Sequence, residues 1–379
     1  VILKLMAQIA RIPRPTGSDE QMQLFEKTIQ YAKSTGRTSL RQKLEILLIE
    51  YCIDNRPQTP LDNIIKDLLR EMKKLDDQLT STEIYLLQSR LYFSNNNMSD
   101  SRTALTNART AANKASVGQM LQAALDLQLG ILHCEGQDFV NANSCFLECI
   151  ESLGREEDRR NKLKQQHLAT SVTTLSGRVS DTLVEFEKME TDFVLATLKQ
   201  KQLEAVVYTL LCQIMSHEPD EVGRIMAKNP RAAAFKDHQI VKALFKIADA
   251  QKRREFRTFN ETLSEFQDAI GEYRLLDKQV RLLYNDMIEK NLLQVIQPYA
   301  VVEIEHIAKL VGLPVSPVES YLSKMILDKT LAAILDHDKG QLEVLEVPKP
   351  DECYRTVLDT IESINDVVDS LYAKAAKLA

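Results

Sequence analysis

Apolar residues recur at intervals of three and four along most of the chain, which is the spacing of amphipathic α-helices. Two examples are Leu44, Leu47, Leu48 and Tyr51, and then Ile84, Leu87 and Leu91. Short polar segments interrupt the pattern at residues 13–18, 34–38, 55–60, 79–81, 94–97 and 135–137. Connections this short predict that neighbouring helices pair as antiparallel hairpins.

Three of the predicted hairpins resemble copies of one unit. Their second helices are predicted to begin at Leu61, Met98 and Phe139. Seven residues later each copy presents a large apolar residue, namely Leu68, Leu105 and Phe146. A repeat of about 40 residues is typical of helical hairpins that stack into a superhelix.

The third copy partly matches the tetratricopeptide (TPR) pattern, through Leu129-Gly130, Ala142 and Phe146. A glycine at this position is expected to let one helix approach the next, while the aromatic ring fills the gap. His133 stands where the pattern has an aromatic residue, so the match is loose.

The middle of the chain is less regular. Residues 155–164 mix acidic and basic side chains, which predicts a solvated helix or linker, and the Thr- and Ser-rich residues 170–180 predict a loop. Helical patterning resumes at Asp181 and continues to Met215, and it returns in residues 222–227, 241–250 and 256–268.

After Tyr284 the pattern changes character. A short β-prone stretch at 300–302 precedes a helix at 303–311, which Gly312 and Pro314 should end. A second helix is expected at 316–328 with Ser316 as its N-cap. Two strands follow at 332–336 and 342–346, with Gly340 supplying a positive φ in the loop between them. Two helices followed by a β-hairpin predict a winged helix.

The C-terminal segment carries an apolar seam whose spacings alternate between three and four residues. Its members are Tyr354, Val357, Ile361, Ile364, Val368, Leu371 and Ala375. Such an a/d seam predicts a helix that packs against other helices, and Pro348 and Pro350 separate it from the strands. The seam alone leaves open whether those helices belong to this chain or to a partner.

Composition narrows the class of protein. The chain has 379 residues with only 11 glycines and 11 prolines, which favours helix over sheet. The net charge of −6 argues against a nucleic-acid backbone as the main ligand. Six scattered cysteines indicate reduced thiols in a cytosolic or nuclear protein.

No apolar stretch is long enough to predict a membrane span. The chain begins with Val1 inside a helical pattern, so we expect its natural N-terminus upstream.

The sequence carries no recognisable catalytic or phosphate-binding motif. Its histidines include no pair one residue apart, as a zinc protease of the ubiquitin-removing kind would need, and it has no glycine-rich phosphate loop. A zinc clamp of His133, Cys134, Cys145 and Cys149 is a weaker interpretation than core packing. The second winged-helix helix mixes acidic and basic residues, which favours protein contact over DNA. We therefore predict no enzyme activity, no metal and no cofactor or small-molecule substrate.

Five segments carry a resemblance to a known family: LLREMKKLDDQL, TALTNARTAANKA, NLLQVIQPYAVVEIEHIAKL, MILDKT and VVDSLYAKAAKL. They resemble the PCI-domain, non-ATPase subunits of the 26S proteasome lid. PCI domains are also found in the COP9 signalosome and in translation initiation factor three. The resemblance covers residues 40–150 and 203–379. Residues 155–200 look longer than in the family. We expect the given sequence to lack the family's further N-terminal repeats.

The resemblance implies a mainly α fold, a right-handed superhelical array of TPR-like hairpins followed by a PCI winged-helix domain of small α+β type and a C-terminal helix. We expect domains at 1–280, 281–347 and 348–379. The implied function is a non-catalytic scaffold in the cytoplasm and nucleus. Its implied partners are other lid PCI subunits, a proteasomal ATPase and the core particle, with no nucleic acid and no membrane. The alternatives are a COP9 signalosome scaffold and, with less support, a winged-helix nucleic-acid-binding protein.

Overall fold

The computed structural model describes Met6 and residues 19–55, 61–173, 181–216, 219–253, 256–266, 274–336, 340–345 and 352–375. Helices dominate, and the chain divides into two compact units, Val1–Leu283 and Tyr284–Ala379. The change of sequence character after Tyr284 coincides with this division, although one helix continues across it.

The helices that precede the division are, in chain order, α1 (Asp19–Ser34), α2 (Thr38–Asn55), α3 (Asp62–Leu75), α4 (Gln78–Ser94), α5 (Met98–Lys114), α6 (Gln119–Glu135), α7 (Phe139–Thr173), α8 (Asp181–Met215), α9 (Pro219–Lys228), α10 (Pro230–Ala233), α11 (Gln239–Arg253) and α12 (Phe256–Glu265). Helix α13 (Arg274–Ile296) crosses it. The predicted helices at 222–227, 241–250 and 256–268 correspond to α9, α11 and α12.

Consecutive helices of the first unit pack as hairpins that stack. Helix α4 packs along α5 and α6 along α7, while α2 contacts α4 and α4 contacts α6. Contact between every second helix is the arrangement of a repeat array, in which each hairpin covers the apolar face of the next. The predicted helical repeat array is confirmed. We call α1 to α8 the array.

The three predicted repeat helices are present as α3, α5 and α7, and α3 begins at Asp62, one residue later than predicted. The apolar residue seven positions into each copy is buried: Leu68 and Leu105 are 2% exposed and Phe146 is fully buried. The large apolar position of each repeat copy is therefore a core position.

Gly130 and Phe146 form the close helix approach that the TPR pattern predicts. A Cβ atom on Gly130 would lie 2.5 Å from Cε1 of Phe146, so the ring occupies the space that a side chain would need. The ring also lies 5.5 Å from that of Tyr208 on α8, measured between centroids. His133, the mismatched position, places its Nδ1 atom 3.4 Å from an oxygen of Asp138.

The hairpin turns share one backbone design. A residue with positive φ follows each of α1, α4 and α6: Gly36, Asn96 and Gln137. The next N–H then reaches the carbonyl five residues back: Arg37 to Ala32 at 3.1 Å, Asn97 to Tyr92 at 2.9 Å and Asp138 to His133 at 3.0 Å. This Schellman-type closure satisfies helix-end carbonyls. Two of the three turns use a residue other than glycine.

One predicted break is wrong. Residues 79–81 lie inside α4, and the chain turns earlier, at Asp76, which has a φ of 53°. Asp77 is the N-cap: its carboxylate accepts hydrogen bonds from the Thr80 N–H at 3.1 Å and the Thr80 hydroxyl at 2.7 Å. The polar residues that suggested a loop are the first turn of a capped helix.

The region after residue 155 also differs from prediction. Helix α7 extends to Thr173, so residues 170–173 are helical, while 174–180 lie outside the described residues. The charged segment is partly packed: Glu156 is 4% exposed and accepts a 2.9 Å hydrogen bond from Arg160. Arg231 of α10 donates to the Glu151 carbonyl and to Asp158, both at 2.8 Å. Residues 155–163 are thus a mostly exposed helix, as predicted, with Glu156 as the buried exception.

The second unit contains the predicted winged helix. Its elements are β1 (Val301–Glu303), α14 (Ile304–Val311), α15 (Val315–Leu327), β2 (Ala333–Asp336) and β3 (Gln341–Val344). The sheet is antiparallel with order β1-β3-β2, and Val302, Leu342 and Leu335 align across it on the inner face. Gly340 has a positive φ and Gly312 ends α14, both as predicted. Gly312 has a positive φ as well.

The predicted N-cap of the second winged-helix helix is wrong. Helix α15 begins at Val315, its N-cap is Pro314, and no side chain caps it. The proline ring fixes φ near the value that the chain needs before a helix, and Pro314 has a φ of −60°. Ser316 therefore lies inside the first turn, two residues after the N-cap.

Candidate protein-interaction surfaces

The apolar seam lies on α16 (Glu352–Ala375), the last helix of the chain. Every described side chain from Thr356 to Leu371 is exposed. The exposed fractions of the seam residues are Val357 50%, Ile361 49%, Ile364 56%, Val368 47% and Leu371 59%. Tyr354 and Ala375 belong to the helix, but their side chains lie outside the described set. The described part of the seam does not pack into a core of this chain.

Two exposed residues widen the seam beyond the prediction. Leu358 is 46% exposed and Val367 is 56% exposed, and both directly adjoin seam positions. In heptad terms they stand at e and g, positions that an a/d search omits. With them, the apolar arc covers about half of the helix circumference at 3.6 residues per turn. An arc this wide is typical of a helix in a multi-helix bundle rather than in a two-stranded coiled coil.

A second exposed apolar surface lies on the outer face of the winged-helix sheet. Val301 and Ile334 flank Glu343 in one row across the three strands, and they are 55% and 53% exposed. Leu345, 45% exposed, directly follows β3. Strands β1 and β2 are the sheet edges, and their outer backbone groups can pair with another chain. Sequence periodicity missed this face because each strand contributes only one or two apolar residues to it.

The second winged-helix helix does not offer a basic face for a nucleic acid. Lys324 donates a 3.0 Å hydrogen bond to Glu289 on α13, and this carboxylate raises the pKa of the lysine. Tyr321 donates to the side-chain oxygen of Asn285 at 2.9 Å. Polar groups of α15 are thus engaged with a neighbouring helix of the same unit.

The cysteines of the array belong to its core. Cys134 and Cys149 are fully buried, and Cys145 is half-buried. Burial raises the pKa of the Cys145 thiol to about 11 and that of Cys149 to about 12, which favours the neutral thiol over the thiolate that zinc binds. Among the residues that the structure describes, no group of three or more possible ligands could hold a metal ion. Nor does any described helix have the length and apolarity that a membrane crossing requires.

The winged-helix region and the last helix each match a known protein family. Residues 263–346 match the PCI domain family. Residues 350–376 match the family described as the 26S proteasome subunit RPN6 C-terminal helix domain, which corresponds to α16.

Relatives extend the likeness over nearly the whole chain. The "26S proteasome non-ATPase regulatory subunit 11 homolog" of Arabidopsis thaliana is 33% identical over 379 residues, which cover 100% of this chain and 80% of the relative. The "26S proteasome regulatory subunit RPN6" of Saccharomyces cerevisiae is 32% identical over 96% of this chain and 75% of its own length. The "Probable 26S proteasome regulatory subunit rpn-6.1" of Caenorhabditis elegans is 34% identical over 95% and 73%, respectively. With its helical array, its PCI winged helix and its matching last helix, the chain belongs to the Rpn6, or non-ATPase subunit 11, family of 26S proteasome regulatory subunits.

Proposed function

We propose that this chain is a structural scaffold subunit of the proteasome lid, which supports assembly of the regulatory particle for ubiquitin-dependent protein degradation. The observation that carries the proposal is α16, whose apolar arc is exposed from Val357 to Leu371. Burying such an arc is worth about 25 cal/mol per Å² of apolar surface, so a helix of this kind associates with other helices in water. The match of residues 350–376 to the RPN6 C-terminal helix family supports the proposal that these helices belong to other proteasome subunits.

Each region of the chain has a proposed partner. We assign α16, through the seam from Tyr354 to Ala375, to a bundle with C-terminal helices of other lid subunits. The winged-helix sheet, with Val301 and Ile334 exposed, is suited to neighbouring PCI subunits. The array is suited to an ATPase and the core particle, since stacked hairpins offer an extended surface. We propose that the protein acts in the cytoplasm and nucleus, where proteasomes work.

We propose that the chain itself is not an enzyme. Its relatives are named non-ATPase or regulatory subunits, and the cysteine thiols of its core are held neutral by burial. The COP9 signalosome scaffold remains the alternative of the same class, and the reported relatives favour the proteasome over it.

The test is the recovery of partners with an altered seam. Affinity purification of the tagged chain from its native cells, followed by quantitative mass spectrometry, should recover lid subunits and ATPases in near-equal amounts. The double variant Ile364→Asp, Leu371→Asp places two carboxylates in the apolar arc and should abolish recovery of the lid. Its circular dichroism and the cooperative unfolding of the array should remain those of the natural chain.

The matched control is Asp359→Ala with Asp366→Ala, two changes on the opposite side of the same helix. We expect this control to recover the lid normally. Normal lid recovery by the Ile364, Leu371 variant would refute the bundle role of α16, and recovery of signalosome subunits would move the chain to the alternative assembly.

A further inference from the structure

The polar side of α16 is chemically asymmetric. Between Thr356 and Leu371 it carries four carboxylates, those of Asp359, Glu362, Asp366 and Asp369, and no lysine or arginine. All four side chains are exposed. Within the described residues none of them forms an ion pair. Between Thr356 and Leu371 the helix therefore presents an apolar arc beside four carboxylates and no basic residue.

The four carboxylates fall on two different lines along the helix. At about 100° per residue, Glu362 and Asp369 lie at heptad position b, next to the edge of the arc that Leu358 marks. Asp359 and Asp366 lie at position f, opposite the middle of the arc. The other edge of the arc is bordered by hydroxyl side chains at position c, those of Thr356, Ser363 and Ser370. One border of the arc is thus acidic and the other is neutral.

Between Thr356 and Leu371 the e and g positions, which usually carry the charges that select a partner helix, are uncharged. In the described part of the helix they are Leu358, Asn365, Thr360 and Val367. When the arc is buried, the b carboxylates come to the rim of the interface, whereas the f carboxylates stay in water. Charge at a rim steers the partner and fixes its position, because a like charge opposite it is repelled.

We infer that the acidic border of α16, formed by Glu362 and Asp369, docks beside a basic helix of a neighbouring subunit. That helix presents lysines or arginines about 10 Å apart, the rise of seven helical residues. One heptad upstream the same border carries Arg355, so the acidic part is confined to the two carboxylates. The inference rests on the proposed bundle role and adds which side of α16 faces positive charge.

Charge reversal on the two lines tests the inference. The variant Glu362→Lys, Asp369→Lys and the variant Asp359→Lys, Asp366→Lys change the net charge equally and leave the apolar arc intact. Both are expressed as the full tagged chain in place of the natural one, and the share of each that copurifies with the lid is measured. We expect the first variant to incorporate about tenfold less at about 0.05 M salt, and the second to incorporate like the natural chain.

Salt provides the second readout, because surface charge pairs are screened within about 10 Å at 0.1 M ionic strength. The defect of the Glu362, Asp369 variant should shrink when the purification is done at about 0.5 M salt. Equal defects in both variants, or no defect in either, would overturn the inference. The Ile364→Asp, Leu371→Asp variant separates the bundle role of α16 from the placement of charge on its border. Normal incorporation of this variant would refute the bundle role. If the variant fails to incorporate, the bundle role stands and the lysine variants decide the placement of charge.

Discussion

Helices α7 and α16 have the same apolar spacing and opposite surroundings. In α7, Phe146 is fully buried against Gly130 and Tyr208 of neighbouring helices. In α16, Ile364 is 56% exposed. The difference shows that a spacing of three and four residues predicts an apolar helix face but does not identify the residues that pack against it. Helices of the same chain pack against the apolar face of α7, and we propose that helices of other subunits pack against that of α16.

The largest contrast between the two helices should come from truncating Phe146. Replacing it with alanine leaves a cavity between α6, α7 and α8, and we expect a loss of about 3–5 kcal/mol in the free energy of unfolding. Hydrogen exchange of peptides from α6 and α7 measures it. Val140→Ala is the control, since Val140 is 73% exposed on the same helix and should change stability by less than about 0.5 kcal/mol. Equal losses in both variants would contradict the assigned core.

The Gly130→Ala variant tests the contact between Gly130 and Phe146 more directly. Its new methyl group would meet the Phe146 ring, and the strain should destabilise the array by about 1–3 kcal/mol. Because the strain depends on the ring, the Phe146→Leu background should reduce the effect of the alanine. A double-mutant cycle of denaturant unfolding measures this coupling, and strictly additive effects would argue against a direct contact.

Asp77 tests whether helix capping supports the array. The Asp77→Ala variant loses the acceptor for Thr80 and should cost about 1 kcal/mol at neutral pH. Hydrogen bonds from the Thr80 hydroxyl and backbone lower the pKa of Asp77 in the folded chain, against the cost of partial burial. The contribution is therefore present above the unfolded value of about 3.9 and is lost as the pH falls through the folded pKa.

The pH dependence of the Asp77→Ala loss can be followed by unfolding the variant and the natural chain between neutral and acidic pH. Asp77→Asn is the matched control, because an amide oxygen also caps but does not titrate in this range. A loss that stayed constant through acidic pH would show that the carboxylate is not the cap.

The smallest effect on stability is expected in α16. Val357→Ala and Val368→Ala together remove apolar groups that are already about half exposed, so the free energy of unfolding of the isolated chain should change by less than about 0.5 kcal/mol. A loss above about 2 kcal/mol would show that the seam packs on its own chain. This outcome would reverse the comparison between α7 and α16.

Sequence reasoning succeeded where a residue acts through local spacing. The Gly130 and Phe146 pair and the turns at Gly312 and Gly340 were predicted because small side chains and positive φ leave a recognisable signature. The break placed at residues 79–81 was wrong because Asp77 caps a helix made of residues that also favour turns. The contacts of Arg231 with Glu151 and Asp158 join residues far apart in the sequence, so no local pattern could show them.

The interaction surfaces were predictable to different degrees. The sequence pattern predicted the a/d seam. It did not predict that Leu358 and Val367 widen the apolar arc, because the heptad rule counts only two positions in seven. The outer face of the winged-helix sheet was missed entirely. Its exposure depends on the pairing of β1 with β3, which brings Val301 beside Glu343.

The exposure of α16 also bears on its helix–coil equilibrium. A helix of 24 residues with no described side chain buried between residues 356 and 371 relies on its own backbone hydrogen bonds, and such helices fray at their ends in water. Docking would then suppress fraying as well as cover the apolar arc. The affinity of the subunit for its assembly therefore depends on intrinsic helix propensity along all of α16, including positions that never touch a partner.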